Sequence, residues 1–402
     1  MEAGGWLDSL EASAAAFPDH PGRPSQHQPL PAGAESDMVI LFAVLTLLLL
    51  VATAIPFLHI SHGFVRVFAF PRLQILAVSL ILSVLAAYLL AGSPRTWIVG
   101  GLLIVMGVQA ACIAQFSPLR SRQSKRYEGD PNGPNTVSIF SYNVKMSNGR
   151  YRDAVDLVLR ESPDLALFME VDEGWAEALE PLGQSMPHVV ARPLDNSYGM
   201  ILYSRLKLSD VRIANLVMDK VPSIIARVTL RSGHDVSLYG IHPEPPVPYA
   251  DSAGRDAELV KVARLVDADP LPAIVCGDLN DVAWSHTTRH FQRISRLLDP
   301  RVGRGFYNTF DARYPLLRWP LDHLFHNARF DFIEMRRLEH IGSDHFPMLF
   351  KLALTRDADC ADYPEEADGD DLAESREMVA DAKQLEQEIS DSSSALFFGQ
   401  SY

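Results

Sequence analysis

Three uncharged apolar runs dominate the first quarter of the chain, at residues 38–58, 73–91 and 97–116. They hold 21, 19 and 20 residues, and a helix of that length crosses a hydrocarbon core of roughly 30 Å. Buried helices of soluble proteins usually carry a charge within such a length, so three membrane spans are predicted. Only five residues, 92–96, separate the second and third runs, enough for a tight hairpin. Three spans place the two chain ends on opposite sides of a bilayer.

From residue 136 the pattern becomes that of an α/β domain. Short apolar runs predict strands at 136–144, 165–171, 199–204, 224–230, 236–242 and 273–277, and helical spacing marks 153–160 and 257–266. The pattern ends near Leu354, so residues 136–354 form one globular unit. Residues 117–135 begin basic and end in Gly-Asp-Pro-Asn-Gly-Pro, the composition of a linker. Residues 1–37 are rich in Pro, Ala, Gly, Ser and His and read as a disordered tail without the features of a signal peptide. Met38 is a second candidate start. Residues 355–402 read as an acidic tail, solvated and only weakly helical in spacing.

Charge adds an orientation and little else. The net charge is −14, but residues 357–402 hold 14 acids against two bases, leaving −2 for the remainder. Arg66, Arg72, Arg120, Arg122, Lys125 and Arg126 lie on one side of the predicted spans, and Arg23 and Arg95 on the other. The positive-inside rule then places everything after residue 116 in the cytoplasm. Cys112, Cys276 and Cys360 form no motif and imply no disulfide framework.

The candidate chemistry lies where predicted strands stop. The run Ala-Ile-Val-Cys breaks into Gly277-Asp278-Leu279-Asn280, and other runs end at Asn143, Glu170 and His242. Open α/β sheets carry their sites at such strand ends. Asp278 and Asn280 are two apart, so an extended backbone sends both side chains the same way. Two further stretches follow, Leu321-Asp322-His323 and Gly342-Ser343-Asp344-His345-Phe346-Pro347. Each residue alone has an ordinary structural explanation: a turn for Asn143, a surface acid for Glu170, a backbone-bonded histidine for His242. Together, carboxylate, amide and imidazole groups are the inventory of metal-assisted phosphoester hydrolysis. Oxygen ligands suit Mg²⁺ or Mn²⁺, whereas zinc would favour cysteine and clustered histidine.

Those motifs, in that order, resemble the endonuclease/exonuclease/phosphatase superfamily, which includes pancreatic deoxyribonuclease, apurinic endonucleases, neutral sphingomyelinases and inositol polyphosphate 5-phosphatases. The resemblance covers residues 136–354 and implies a four-layered α/β/β/α sandwich, here preceded by three transmembrane helices. The anchor resembles that of uncharacterised bacterial members, implying a multi-pass protein of a bacterial inner membrane. The resemblance implies Glu170, with Asn143 beside it, as ligands of a divalent metal, and Asp344 as a further one. It implies Asp278 as the group that orients or deprotonates the attacking water and Asn280 as a holder of a phosphate oxygen. His345 would contact the scissile phosphate, with Asp322 as its paired carboxylate, and His242 would be the general acid. His323 is a candidate for substrate binding, with a packing role as the alternative. Apurinic endonucleases carry an acid where this chain has Lys145, which argues against a second metal and against abasic-site repair.

Two substrate classes follow, nucleic acid ahead of phospholipid, with a non-catalytic membrane scaffold as the third reading. Seven arginines lie between Arg289 and Arg318, alongside two acids, and can track a phosphate backbone or simply be solvated. Trp284, Phe306, Tyr307, Phe310, Tyr314 and Trp319 accompany them, and can stack bases, meet lipid or pack a core.

Overall fold

The computed structural model describes residues 32–58, 60–247, 249, 252–355 and 363–398. Nearly all of the N-terminal tail expected at 1–37 lies outside these residues, but the chain is already helical at Ala32. Helix α1 (Ala32–Ala54) is followed by the one-turn α2 (Gly63–Arg66), then α3 (Arg72–Leu89) and α4 (Gly92–Ile113). Three stretches, Ala34–Leu58, Arg72–Leu89 and Gly92–Phe116, are long and apolar enough to cross a membrane. The hairpin between the last two is tighter than expected. It uses only Leu90 and Ala91, because Gly92 with its φ of +63° lets α4 start at once.

The α/β region continues with β1 (Thr136–Asn143), α5 (Tyr151–Glu161), β2 (Leu165–Met169), α6 (Glu173–Leu179), β3 (His188–Arg192), β4 (Met200–Ser204), β5 (Lys207–Asn215), β6 (Pro222–Thr229) and β7 (Asp235–Gly240). Helix α7 (Ala253–Asp267), β8 (Ala273–Asp278), α8 (His286–Ser295), β9 (Asp322–His326), β10 (Phe330–Arg337), β11 (Met348–Leu354) and α9 (Gly369–Phe398) complete it. One sheet has the order β10-β11-β1-β2-β4-β3 and the other β5-β6-β7-β8-β9, and both are mixed. Period-2 alternation explains the layers. Ile139, Leu167, Leu238, Ile274 and Leu324 point into one core between the sheets. Their neighbours Phe140, Phe168, Tyr239, Val275 and Phe325 face the helices outside. The architecture is therefore the four-layered sandwich expected from the sequence.

Two features differ from expectation. The acidic segment is not simply solvated: Asp371, Ser375, Met378 and Ala382 form one buried face of α9 at helical spacing. That face docks beside α8, where Arg293 Nε donates to Asp371 at 2.8 Å and His290 Nε2 meets the Ser375 hydroxyl at 2.9 Å. The N-terminal helices are also packed onto the sandwich. Trp284 Nε1 donates to the Ala69 carbonyl at 2.7 Å, and Phe116 at the end of the third span packs edge-on to Trp284 with ring centres 6.1 Å apart.

Candidate active site

One end of the sandwich collects the polar strand ends. The parallel pairs β1–β2 and β7–β8 finish there, and the antiparallel β9 and β11 begin there. Asp278 and Asp322 are direct register partners across β8 and β9. Gly277 permits the approach of the loop after β7: its φ is +146°, and a Cβ would lie 1.9 Å from the Ile241 carbonyl oxygen. Glu170 and Asn280 adopt left-handed backbones, with φ of +59° and +52°, at the turns that close β2 and β8.

The centre is a bridge. His345 Nδ1 lies 2.8 Å from Asp322 Oδ2, and its Nε2 lies 3.3 Å from Asp278 Oδ2. All three side chains are buried, at 3% exposure or less. Burial alone would lower the imidazole pKa, but the carboxylates of Asp322 and Asp278 overcome it and hold His345 up to about 10. Burial raises the Asp278 carboxyl from its ordinary value, against the pull of His345. Ser343 fixes the histidine loop: its hydroxyl donates to the Asn143 carbonyl at 2.8 Å and accepts the His345 backbone N–H at 3.0 Å.

Asn143 joins this bridge to Glu170. Its Nδ2 donates to Glu170 Oε1 at 2.9 Å and to Asp278 Oδ2 at 3.0 Å, while its Oδ1 accepts the Lys145 N–H at 3.0 Å. Asn280 donates its backbone N–H to Asp278 Oδ1 at 2.9 Å and one amide N–H to the Pro243 carbonyl, also at 2.9 Å. His242 Nε2 is 3.9 Å from Asp278 Oδ2, and its Nδ1 is buried without a partner among the described residues.

Seven of the residues singled out from the sequence thus converge: Asn143, Glu170, His242, Asp278, Asn280, Asp322 and His345. Three expectations change. His323 turns away from the cluster, because it follows Asp322 on a strand and must face the opposite side. There it is buried between Arg301, 2.6 Å from its Nδ1, and the Asp281 carbonyl, 2.9 Å from its Nε2, so its role is structural. Asp344 reaches the rim, but Lys145 Nζ holds its Oδ2 at 2.8 Å and Arg313 lies at 3.7 Å. A carboxylate so paired is a poor metal ligand. His242 is pushed down by burial, which outweighs the nearby Asp278, so the protonated imidazole of the site is His345.

Asp278, Asp322 and His345 have ligand atoms within 4.8 Å of one another, the spacing of a metal site. Their geometry is better described as two carboxylates bridged by one imidazolium, which has no lone pair to offer. Glu170 is the better fit to a hard cation, since it is partly exposed and has no cationic partner among the described residues, whereas Asn143 turns its amide nitrogen to Glu170 and would have to flip to offer its oxygen. Tyr198 was not anticipated; its ring centre lies 5.6 Å from that of His242. Phe310 was singled out only as an aromatic of the Arg-rich stretch, and its ring centre lies 4.9 Å from that of His345. The only sequence signal for Tyr198 was the Gly199 after it, where a Cβ would meet the Val171 carbonyl oxygen at 1.8 Å.

A mixed-sheet sandwich with acids, amide and histidine at one end defines a phosphoester hydrolase scaffold. Residues 140–345, just over half of the chain, match the family model of the Endonuclease/Exonuclease/phosphatase family, and the chain belongs to that family. Hydrolase activity is what this membership supports. Structural likenesses include D. rerio TDP2 complexed with single strand DNA product, at 20% identity and a TM-score of 0.47, covering 54% of this chain and 98% of that one. An endonuclease/exonuclease/phosphatase from Beutenbergia cavernae gives 16% identity and 0.44, over 55% of this chain and 72% of that one. Sphingomyelinase C from Streptomyces griseocarneus gives 18% and 0.41, over 54% and 99%. These likenesses do not bear on the substrate, and no curated protein matches the chain.

Proposed function

We propose that this protein is a membrane-anchored phosphodiesterase that depends on a divalent cation, Mg²⁺ or Mn²⁺. The observation that carries the reading is the Asp322–His345–Asp278 bridge beside Glu170 and Asn143. A cation held by Glu170, with the Asn143 amide flipped to offer its oxygen, would supply positive charge to the phosphoryl oxygens. Asp278 accepts the proton of the attacking water. Asp322 holds the His345 imidazolium in place, and that cation faces the charge that develops on the phosphoryl group. His345 is also the proton source for the leaving oxygen, while the neutral His242 lines the same wall. The second amide hydrogen of Asn280 serves a phosphate oxygen.

For the substrate, the geometry supports a phosphodiester presented at a membrane surface. Rings step from His345 to Phe310, to Trp319 at 6.2 Å and to Phe70 at 5.9 Å, just before the second span. The neighbouring loop carries Tyr314, Leu316 and Leu317, which are 55%, 85% and 48% exposed, and Gln74 of α3 donates to the Leu316 carbonyl at 2.9 Å. The Arg-rich connection that favoured nucleic acid is engaged internally. Arg304 bonds a backbone carbonyl, and Arg293, Arg301 and Arg313 bond Asp371, Asp299 and Asp311, while Arg289 lines a separate cavity beside Cys112. We assign the catalytic region to the cytoplasmic side on the positive-inside count.

The test is a panel on the full chain in detergent with Mg²⁺ or Mn²⁺: phospholipid vesicles, plasmid DNA and RNA, each beside Asp278→Ala. Headgroup release from vesicles, lost in the variant, is expected. Cleavage of DNA or RNA instead would return the substrate to nucleic acid, and silence on all three would contradict the reading.

A further inference from the structure

A cavity of about 220 Å³ lies where the spans meet the sandwich, and none of Asp278, Asp322 and His345 lines it. Its lining includes Phe57, Arg66, Arg72, Cys112, Trp284 and Arg289. Phe57 follows α1, Arg72 opens α3 and Cys112 stands in the last turn of α4, so the cavity sits at the ends of all three spans. The lining combines apolar and cationic groups, with the Arg72 guanidinium over the Phe57 ring at 5.7 Å.

Two of the lining cations, Arg72 and Arg289, are not neutralised from within, whereas Arg66 and Arg293 are paired. Arg66 and Arg72 are only 6% and 4% exposed. Arg66 pairs with Asp256 at 2.7 Å, but no carboxylate lies within ion-pair distance of Arg72 or Arg289 among the described residues. Arg72 donates only to Gln109 Oε1, at 3.0 Å, and Arg289 to the Cys112 carbonyl, at 2.6 Å. The Nε groups of Arg66, Arg72 and Arg289 are all buried without a partner among the described residues. The one carboxylate in the lining, Asp281, is turned into its own loop, accepting from Val282 N at 2.8 Å and Ser285 Oγ at 2.6 Å. Buried guanidinium groups without an anion are costly, and an oxyanion offering several acceptors removes that cost.

We infer that this cavity binds the anionic phosphate headgroup of a membrane phospholipid, held between Arg72 and Arg289 with its apolar part along Phe57 and Cys112. Basic recesses between span ends suit such headgroups, and the apolar groups of the lining distinguish a lipid from a free anion. Burial lowers the Arg289 guanidinium, as expected of a cation waiting for a counter-ion. The inference rests on α1, α3 and α4 being membrane spans, which retention of the chain in alkali-washed membranes tests separately.

The experiment measures thermal unfolding of the full chain in nonionic detergent with EDTA, so that metal-dependent turnover plays no part. The probes are phosphatidylglycerol, phosphatidylcholine and inorganic phosphate. Phosphatidylglycerol should raise the unfolding temperature saturably, the other two should not, and Arg289→Gln should weaken the response about tenfold, as loss of one charge-assisted bond does. Arg72→Gln should act in the same direction, and Arg289→Gln decides if that variant does not fold. An equal response to phosphatidylcholine or to inorganic phosphate, or an unchanged response in Arg289→Gln, would overturn the inference.

Discussion

Asp278 and Asp322 face each other across β8 and β9, a placement of two acids that is unfavourable unless a cation lies between them. His345 lies between them, and the two carboxylates hold it protonated against the burial that opposes its charge. Asp322→Asn should therefore leave the fold intact while lowering kcat by about 10²–10⁴-fold, because the imidazolium loses its anchor. Steady-state rates beside a circular dichroism spectrum check this, and a loss smaller than tenfold would remove Asp322 from the mechanism. A second acid reports on stability. Burial raises Glu258 from 4.5 to about 7, with Glu244 adding to the rise and the Ser223 hydroxyl opposing it. Between those values the folded chain holds a proton that the unfolded chain has lost, so this group makes stability fall as pH rises from 4.5 to 7. Glu258→Gln should be more stable than the parent at pH 8, on the order of 3 kcal/mol, and nearly equal to it at pH 4.5. Denaturant melts at the two pH values measure the difference. At this scale the sequence disclosed the acids, amides and histidines at strand ends. It did not disclose the Lys145–Asp344 pair, whose members are 199 positions apart.

Elements were legible in proportion to their burial. The runs that became β1, β2, β4, β6, β7 and β8 are buried on both faces and read directly as apolar stretches. Edge strands gave no such signal: β5 is exposed along most of its length, and β3 is covered on few positions. Helix α9 was hidden by its charge, since its buried face uses Asp371 and Ser375 as well as Met378 and Ala382. The contact between α2 and α7 was invisible for another reason, being a buried ion pair between distant segments. Arg66 donates to Asp256, which Arg255 also grips, and Arg255 Nη1 reaches the Asn280 carbonyl at 3.3 Å. Arg66→Met leaves Asp256 with one guanidinium instead of two, and should cost about 3 kcal/mol. Chemical denaturation of the full chain in detergent would show it, and a change below about 0.5 kcal/mol, the size of an exposed pair, would mean the contact is not structural.

Across the whole molecule, anchor and sandwich are one packed object. Phe116 of the anchor and Trp284, Val302 and Leu321 of the sandwich share a core, so the segment read as a linker follows a contact already made. That three stretches are long and apolar enough to cross a membrane was plain from composition. That they press against the loop following Asn280 follows from tertiary packing, which no local pattern encodes. The arrangement holds the candidate site near the ends of the apolar helices, so assays belong on the intact chain. The most direct measurement is hydrolysis of bis(p-nitrophenyl) phosphate by that chain in detergent, with Mn²⁺, with EDTA, and with His345→Ala. The account predicts turnover that EDTA abolishes and Mn²⁺ restores, and that falls by at least about 10²-fold in the folded His345→Ala variant. Turnover that persists undiminished in EDTA or in the variant would contradict it.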